Sequence, residues 1–130
     1  METTIDLPPI VIPHRHWLTS NGRYHWADKA NRVRHIRQIA RYSWNSYKGL
    51  QLDWPQLVVV RVQYPTKAKA DPLNAEPSIK AAIDGGTDAG LWPDDSAEYI
   101  VGPLPMMHRK TCEKGAHVLH VSLLNQRLPF

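Results

Sequence analysis

From Leu57 to Tyr64 the chain reads LVVVRVQY, a run rich in the β-branched side chains that favour strands. Three consecutive valines, Val58 to Val60, predict burial on both faces and a central place in a sheet, and Pro65 ends the run. Ala116 to Leu124 predicts a second strand by alternation. Val118, His120 and Ser122 fall on one side, and Leu119, Val121 and Leu123 on the other. Glu98 to Leu104 predicts a third strand. Near the N-terminus, Ile5, Leu7, Ile10, Val11 and Ile12 predict a strand over Thr4 to Ile12. Pro8 and Pro9 interrupt it, which suits an edge strand or a bulge. Pro13 closes it and opens a polar loop to Tyr24 that carries an Asn21-Gly22 turn signal.

Between Trp26 and Tyr47 the period changes. Val33, Ile36, Ala40 and Trp44 recur at three- and four-residue spacing, so one stripe of a helix is apolar. Arg34, Arg37 and Arg41 lie on another side at the same spacing, where they serve either as phosphate-neutralising cations or as a solvated face. A second helix is predicted from an N-cap at Ser78 to about Ala89, ended by Gly90. Its Ile79, Ala82, Ile83 and Gly86 face inward, and Lys80, Asp84 and Asp88 share the opposite side. Gly85 and Gly86 each weaken a helix by roughly 1 kcal/mol relative to alanine, a cost that close packing of another backbone explains. His108 to Gly115 reads as a basic hairpin loop or lid carrying Arg109 and Lys110, and 125–130 as a short tail. With no internal repeat or domain boundary, the order predicts one α/β (α+β) domain, a small mixed sheet packed with two main helices.

Charge sharpens this picture. The 130 residues carry a formal net charge of +4, which points first to nucleic acid as partner and second to an acidic membrane surface. Cys112 is alone, which excludes an intrachain disulfide and a cysteine zinc cluster. No apolar run approaches the roughly 20 residues of a membrane span. The N-terminus lacks the pattern of a signal peptide. A cytoplasmic protein without a membrane partner is expected. Among the aromatics, Trp26, Trp44, Trp54 and Trp92 read as core or dimer-contact anchors. Trp17, in its polar loop, is the candidate for an exposed wedge.

Against the basic balance, six of the twelve acidic residues fall between Asp71 and Asp95. A divalent cation held by carboxylates and facing a phosphate accounts for such a segment. Mg²⁺, or Mn²⁺ in its place, takes oxygen ligands and needs only one or two carboxylates. Asp71 and Asp95 suffice for that. Asn74 would orient them or contact a phosphate, and Lys80 would hold the phosphate or neutralise developing charge. Aspartates in loops also serve as turn formers and caps, so that alternative stands beside the metal reading.

The pattern D-P-L-N-x-E-P-x-x-K-x-x-I-D-x-x-x-D-A-G-x-x-x-D-D over Asp71 to Asp95 resembles the core signature of RusA-type Holliday-junction resolvases. The upstream N-G-R-Y-H-W-A-x-K, Asn21 to Lys29, and the N-terminal prolines are similar to that family too. Its members are small homodimeric enzymes, largely from phages and prophages, that cut four-way DNA junctions with Mg²⁺. The resemblance implies Asp71 as a metal-binding catalytic aspartate, Asp95 as its partner, and Lys80 as the family's helical lysine. Leu73 departs from the pattern, standing where the family often has a second aspartate, and Glu76 or Asp94 would replace the missing ligand. Lys67 and Lys69 stand where an arginine run is common. Together with Arg34, Arg37, Arg41, Arg109 and Lys110 they are the expected DNA-backbone contacts. The rival expectation is a non-catalytic junction-binding protein on the same fold, with Leu73 marking the loss of chemistry.

Overall fold

The computed structural model describes residues 3–67 and 70–125. Its order is β1 (Thr3–Asp6), β2 (Ile10–Pro13), α1 (Trp26–Trp44), β3 (Gln56–Gln63), α2 (Glu76–Asp88), β4 (Ile100–Met107) and β5 (Ala116–Asn125). Short 3₁₀ turns lie at His14–His16, Asn45–Tyr47 and Pro72–Ala75. β5 pairs antiparallel with β1, β2 and β3, and β3 pairs parallel with β4. The result is an α+β domain with a mixed five-stranded sheet and two main helices.

The predicted N-terminal strand divides at its prolines. Asp6 stands opposite Ser122 and Ile10 opposite Leu119, so the N-terminal segment holds one more residue than β5 across that interval. That extra residue is a bulge. Proline cannot donate to the ladder, and the Pro8 carbonyl accepts instead from the Trp44 indole Nε1 at 2.9 Å, tying α1 to the sheet edge.

β3 is central, between β5 and β4, but only one of its faces is fully buried. Val58, Val60 and Val62 meet the helices, together with Leu119, Val121 and Leu123 of β5. The opposite face, carrying Val59 and Arg61, has no helix over it because α1 and α2 pack on the same side. On this open face Leu104 and Met106 of β4 are 47% and 48% exposed, and Val11 of β2 is 56% exposed.

Segment 108–115 is not a hairpin turn, because β3 lies between β4 and β5. It crosses the end of β3, where Cys112 N donates to the Tyr64 carbonyl at 3.0 Å. The Cys112 thiol donates to the Gln63 and Ala116 carbonyls, and burial holds its pKa above the ordinary value.

α2 begins at Glu76, earlier than the expected cap at Ser78. Pro77 fits this first turn, where its missing N–H costs nothing. Ser78 is buried inside the helix and clamps the loop before α1: its Oγ accepts from Leu18 N and donates to Leu18 O, both at 2.8 Å. The two glycines of α2 have separate reasons. A Cβ on Gly85 would stand 2.5 Å from the Arg37 carbonyl oxygen, so the helices cross there at backbone contact. Gly86 instead makes room for the Trp92 indole.

Two tryptophans exchange their expected places. Trp17 is only 4% exposed, stacked on His117 with ring centroids 4.3 Å apart, and so is no exposed wedge. Trp26 is 77% exposed and anchors no core, whereas Trp44 and Trp92 are buried as expected. Helical spacing aligns Trp26 with Trp44, but residues 26–30 are exposed on every side, since the first turns of α1 run beyond what covers the rest.

Candidate functional site

The acidic segment is laid out by a β3–α2–β4 unit. After β3 the chain turns at Tyr64, whose hydroxyl donates to the Asp71 carbonyl at 2.7 Å. Burial, and then the negative charge of Asp71, push the Tyr64 phenol up to about 12. Asp71 sits in extended conformation, and its Oδ1 accepts from Leu73 N at 2.9 Å, capping the 3₁₀ turn Pro72–Ala75. Asn74 is also engaged: its Oδ1 accepts from Asn21 N at 3.1 Å, and its carbonyl accepts from Ser20 N at 2.9 Å. The two sequence segments that carry the family resemblance therefore touch through Asn21 and Asn74.

Between the first turns of α2 and the edge strand β4 lies a cavity of about 350 Å³. Its polar lining is Glu76, Lys80 and Asp95; Ile79, Ile83, Ile100, Gly102 and Pro103 supply the apolar wall. The wall depends on a bulge. Leu57 pairs with Val101 but Val59 with Leu104, so β4 gains one residue at Gly102-Pro103. Gly102 has φ +104, and a Cβ there would stand 2.7 Å from Leu104 N and 3.0 Å from the Val58 carbonyl oxygen, so glycine is required.

Lys80 is the cation of this cavity. Its Nζ lies 3.5 Å from Asp95 Oδ2 and 3.8 Å from Asp84 Oδ1, joining α2 to the turn before β4. Asp88, expected beside Lys80, turns instead to α1, where Arg37 donates through Nε and a terminal nitrogen at 2.9 and 2.8 Å. Those hydrogen bonds hold the Asp88 carboxyl below its ordinary pKa. Asp94 caps its own turn by accepting from Ser96 N at 2.7 Å, and its hydrogen bonds to Ser96 lower its pKa.

The candidates thus separate. Glu76, Lys80 and Asp95 share one cavity; Asp71 and Asp94 cap turns and stand outside its lining. Leu73 is 67% exposed. Among the described residues no three His, Cys, Asp or Glu side chains form a group that would hold a metal ion. The donor chemistry of Glu76 and Asp95 nonetheless fits a hard cation, because two carboxylates with water complete a Mg²⁺ shell.

Of the expected DNA contacts, Arg34, Arg37 and Arg41 line a groove on α1, with Arg37 held by Asp88. Lys67 is exposed after β3, and Arg109 and Lys110 are exposed after β4, at the end of the sheet where both parallel strands finish. Lys69 lies outside the described residues. Sequence reasoning passed over Tyr64, whose position just past a buried strand and seven residues before Asp71 was its only signal.

No protein-family model matches the chain, and no curated protein is similar to it in sequence. No helix among the described residues is long and apolar enough to cross a membrane.

Proposed function

We propose that this chain is a Mg²⁺-dependent, structure-selective DNA endonuclease that hydrolyses phosphodiesters at four-way junctions, working as a cytoplasmic homodimer. The observation that carries the reading is the meeting of Glu76, Lys80 and Asp95 at one cavity. A recess between that cavity and the arginine-rich groove of α1 shares Glu76 and Lys80 with the first and Lys29 and Val33 with the second. Carboxylates beside a basic track suit a cation facing a phosphate, and the resemblance over Asp71 to Asp95 points to the same chemistry.

When bound, Mg²⁺ supplies charge neutralisation at the phosphate and a more acidic water. Glu76 and Asp95 are the carboxylates that would hold it. Lys80 holds a phosphate oxygen once substrate competes with Asp95 for its ammonium. Asp71, tied to Tyr64 through its carbonyl and to Leu73 through Oδ1, holds the turn that leads into Glu76. Arg34, Arg41, Lys67, Arg109 and Lys110 contact the sugar-phosphate backbone, so junction shape rather than base sequence dominates selection. The open sheet face, with Val11, Leu104 and Met106, packs against a second copy; an isologous pair then presents two sites to opposed strands of a two-fold junction.

The test is incubation with a synthetic four-way junction and Mg²⁺ or Mn²⁺. Paired nicks in opposed strands, abolished by EDTA, are expected. Cutting that persists in EDTA, or none with either metal at any protein level, overturns the enzyme reading. The second reading, a junction-binding protein without chemistry, draws on Leu73 and on the Lys80 ammonium already seated against Asp95. It predicts tight, salt-sensitive junction binding with no cleavage.

A further inference from the structure

α1 carries more than a row of phosphate contacts. Its first turn presents Trp26, 77% exposed, at the mouth of a groove of about 600 Å³. Ala30 and Val33 contribute to an apolar floor, and Lys29, Arg34 and Arg41 to a basic rim. The other cations of the helix are neutralised within the protein: Arg32 pairs with Asp28 at 3.0 Å and Arg37 with Asp88 at 2.8 Å. Lys29, Arg34 and Arg41 have no such ion pair among the described residues. Arg34 donates to Asn31 Oδ1 on the same helix and keeps its charge unneutralised. An exposed indole on an apolar floor with three cations outside any ion pair around it selects a flat ring flanked by spaced negative charges. A nucleobase in its own strand has that chemistry. An acidic peptide matches the cations and leaves the indole unused.

We infer that the Trp26 groove is the subsite for an unpaired base of the DNA strand, stacked on the indole with its flanking phosphates at Arg34 and Arg41. A recess lined by Lys29 and Val33 on one side and by Glu76 and Lys80 on the other lies between the groove and the acidic cavity. The choice of DNA as the strand rests on the nuclease reading; the base-stacking groove is argued from α1 alone.

The test is binding in EDTA, by fluorescence anisotropy, of a short labelled oligo-dT and of an abasic strand of equal length and charge. The wild-type protein is expected to prefer oligo-dT by about tenfold, the effect of one stacked base. Trp26→Ala should reduce oligo-dT binding to the abasic level without weakening the abasic strand, and Trp26→Phe should retain most of the preference. Arg34→Ala with Arg41→Ala should weaken both ligands alike and flatten the salt dependence. Equal binding of the two strands by wild type, or a preference that survives Trp26→Ala, overturns the inference. Self-association that Trp26→Ala abolishes would assign the groove to a protein partner and overturn it as well. The two readings fail separately: junction cleavage without base preference removes only this inference, and base preference without cleavage removes only the nuclease.

Discussion

The Lys80 ammonium stands 3.5 Å from Oδ2 of Asp95, so one ion pair joins the second turn of α2 to the turn before β4. Both side chains are well exposed, at 63% and 47%, and a pair so placed contributes less than about 1 kcal/mol to stability. Its value is chemical rather than structural. Lys80→Ala should lower junction cleavage by about 100-fold, as removal of a transition-state donor does, and Asp95→Asn by a similar factor through loss of a carboxylate that would hold Mg²⁺. Junction affinity and melting temperature should stay near wild type. Single-turnover cleavage beside a thermal melt checks this; equal losses in melting temperature and rate would make the pair a strut.

Glu76 and Asp71 can be ranked by the same assay. Glu76 lines the cavity and Asp71 caps the turn beside it, so Glu76→Gln should reduce cleavage and leave folding alone. Asp71→Asn should reduce cleavage and leave stability near wild type, because asparagine caps a turn as well as aspartate does. Leu73→Asp adds a third carboxylate at an exposed position beside Asp71, and on the proposed function should raise cleavage at limiting Mg²⁺. A metal titration of initial rates decides it.

At Gly85 the backbone of α2 lies directly against that of α1. Gly85→Ala would gain helix propensity in an isolated helix, yet here the methyl meets the Arg37 carbonyl oxygen and Ala40 Cβ. A net destabilisation of about 1–3 kcal/mol is expected in chemical unfolding, the cost of overpacking. A stabilised Gly85→Ala protein would contradict this crossing.

His117 predicts acid sensitivity. Burial, and then the nearby His14, lower its pKa from 6.5 to about 4. Its Nδ1 is buried without a hydrogen-bond partner among the described residues, so the folded state holds the ring neutral. The unfolded chain takes up the proton first on acidification. Stability from this group is therefore complete above about pH 6.5 and lost as pH falls towards 4, by at most about 3 kcal/mol. His117→Phe keeps a ring against Trp17 and should remove this part of the pH dependence, read from denaturant midpoints at pH 7 and pH 5.

The open sheet face predicts the oligomer. Leu104→Glu with Met106→Glu places charge where a second copy would pack, and should convert a dimer to a monomer in sedimentation while leaving the far-ultraviolet spectrum unchanged. An unchanged sedimentation coefficient would put the contact elsewhere.

Local physics along the chain determined much of this protein. The β-branched run at 57–64, the alternation at 116–124 and the 3.6-residue stripe through Ile36, Ala40 and Trp44 each specify an element and its apolar side. The prolines at 8 and 9 marked a bulge, and the glycine pair marked close packing. Covering is a different matter, because periodicity says which side is apolar and nothing of what lies against it. Both helices fell on one face of the sheet, leaving Val59 only partly buried where three valines in a row had implied burial on both sides. Trp26 shares a helical direction with Trp44, yet only Trp44 has a sheet edge beneath it. Trp17, in a polar loop, found His117 from the far end of the chain. The acidic segment follows the same rule: composition gathered the carboxylates in sequence, and only the packing of α2 against the bulged edge of β4 decided that Glu76, Lys80 and Asp95 face one cavity while Asp71 and Asp94 cap turns.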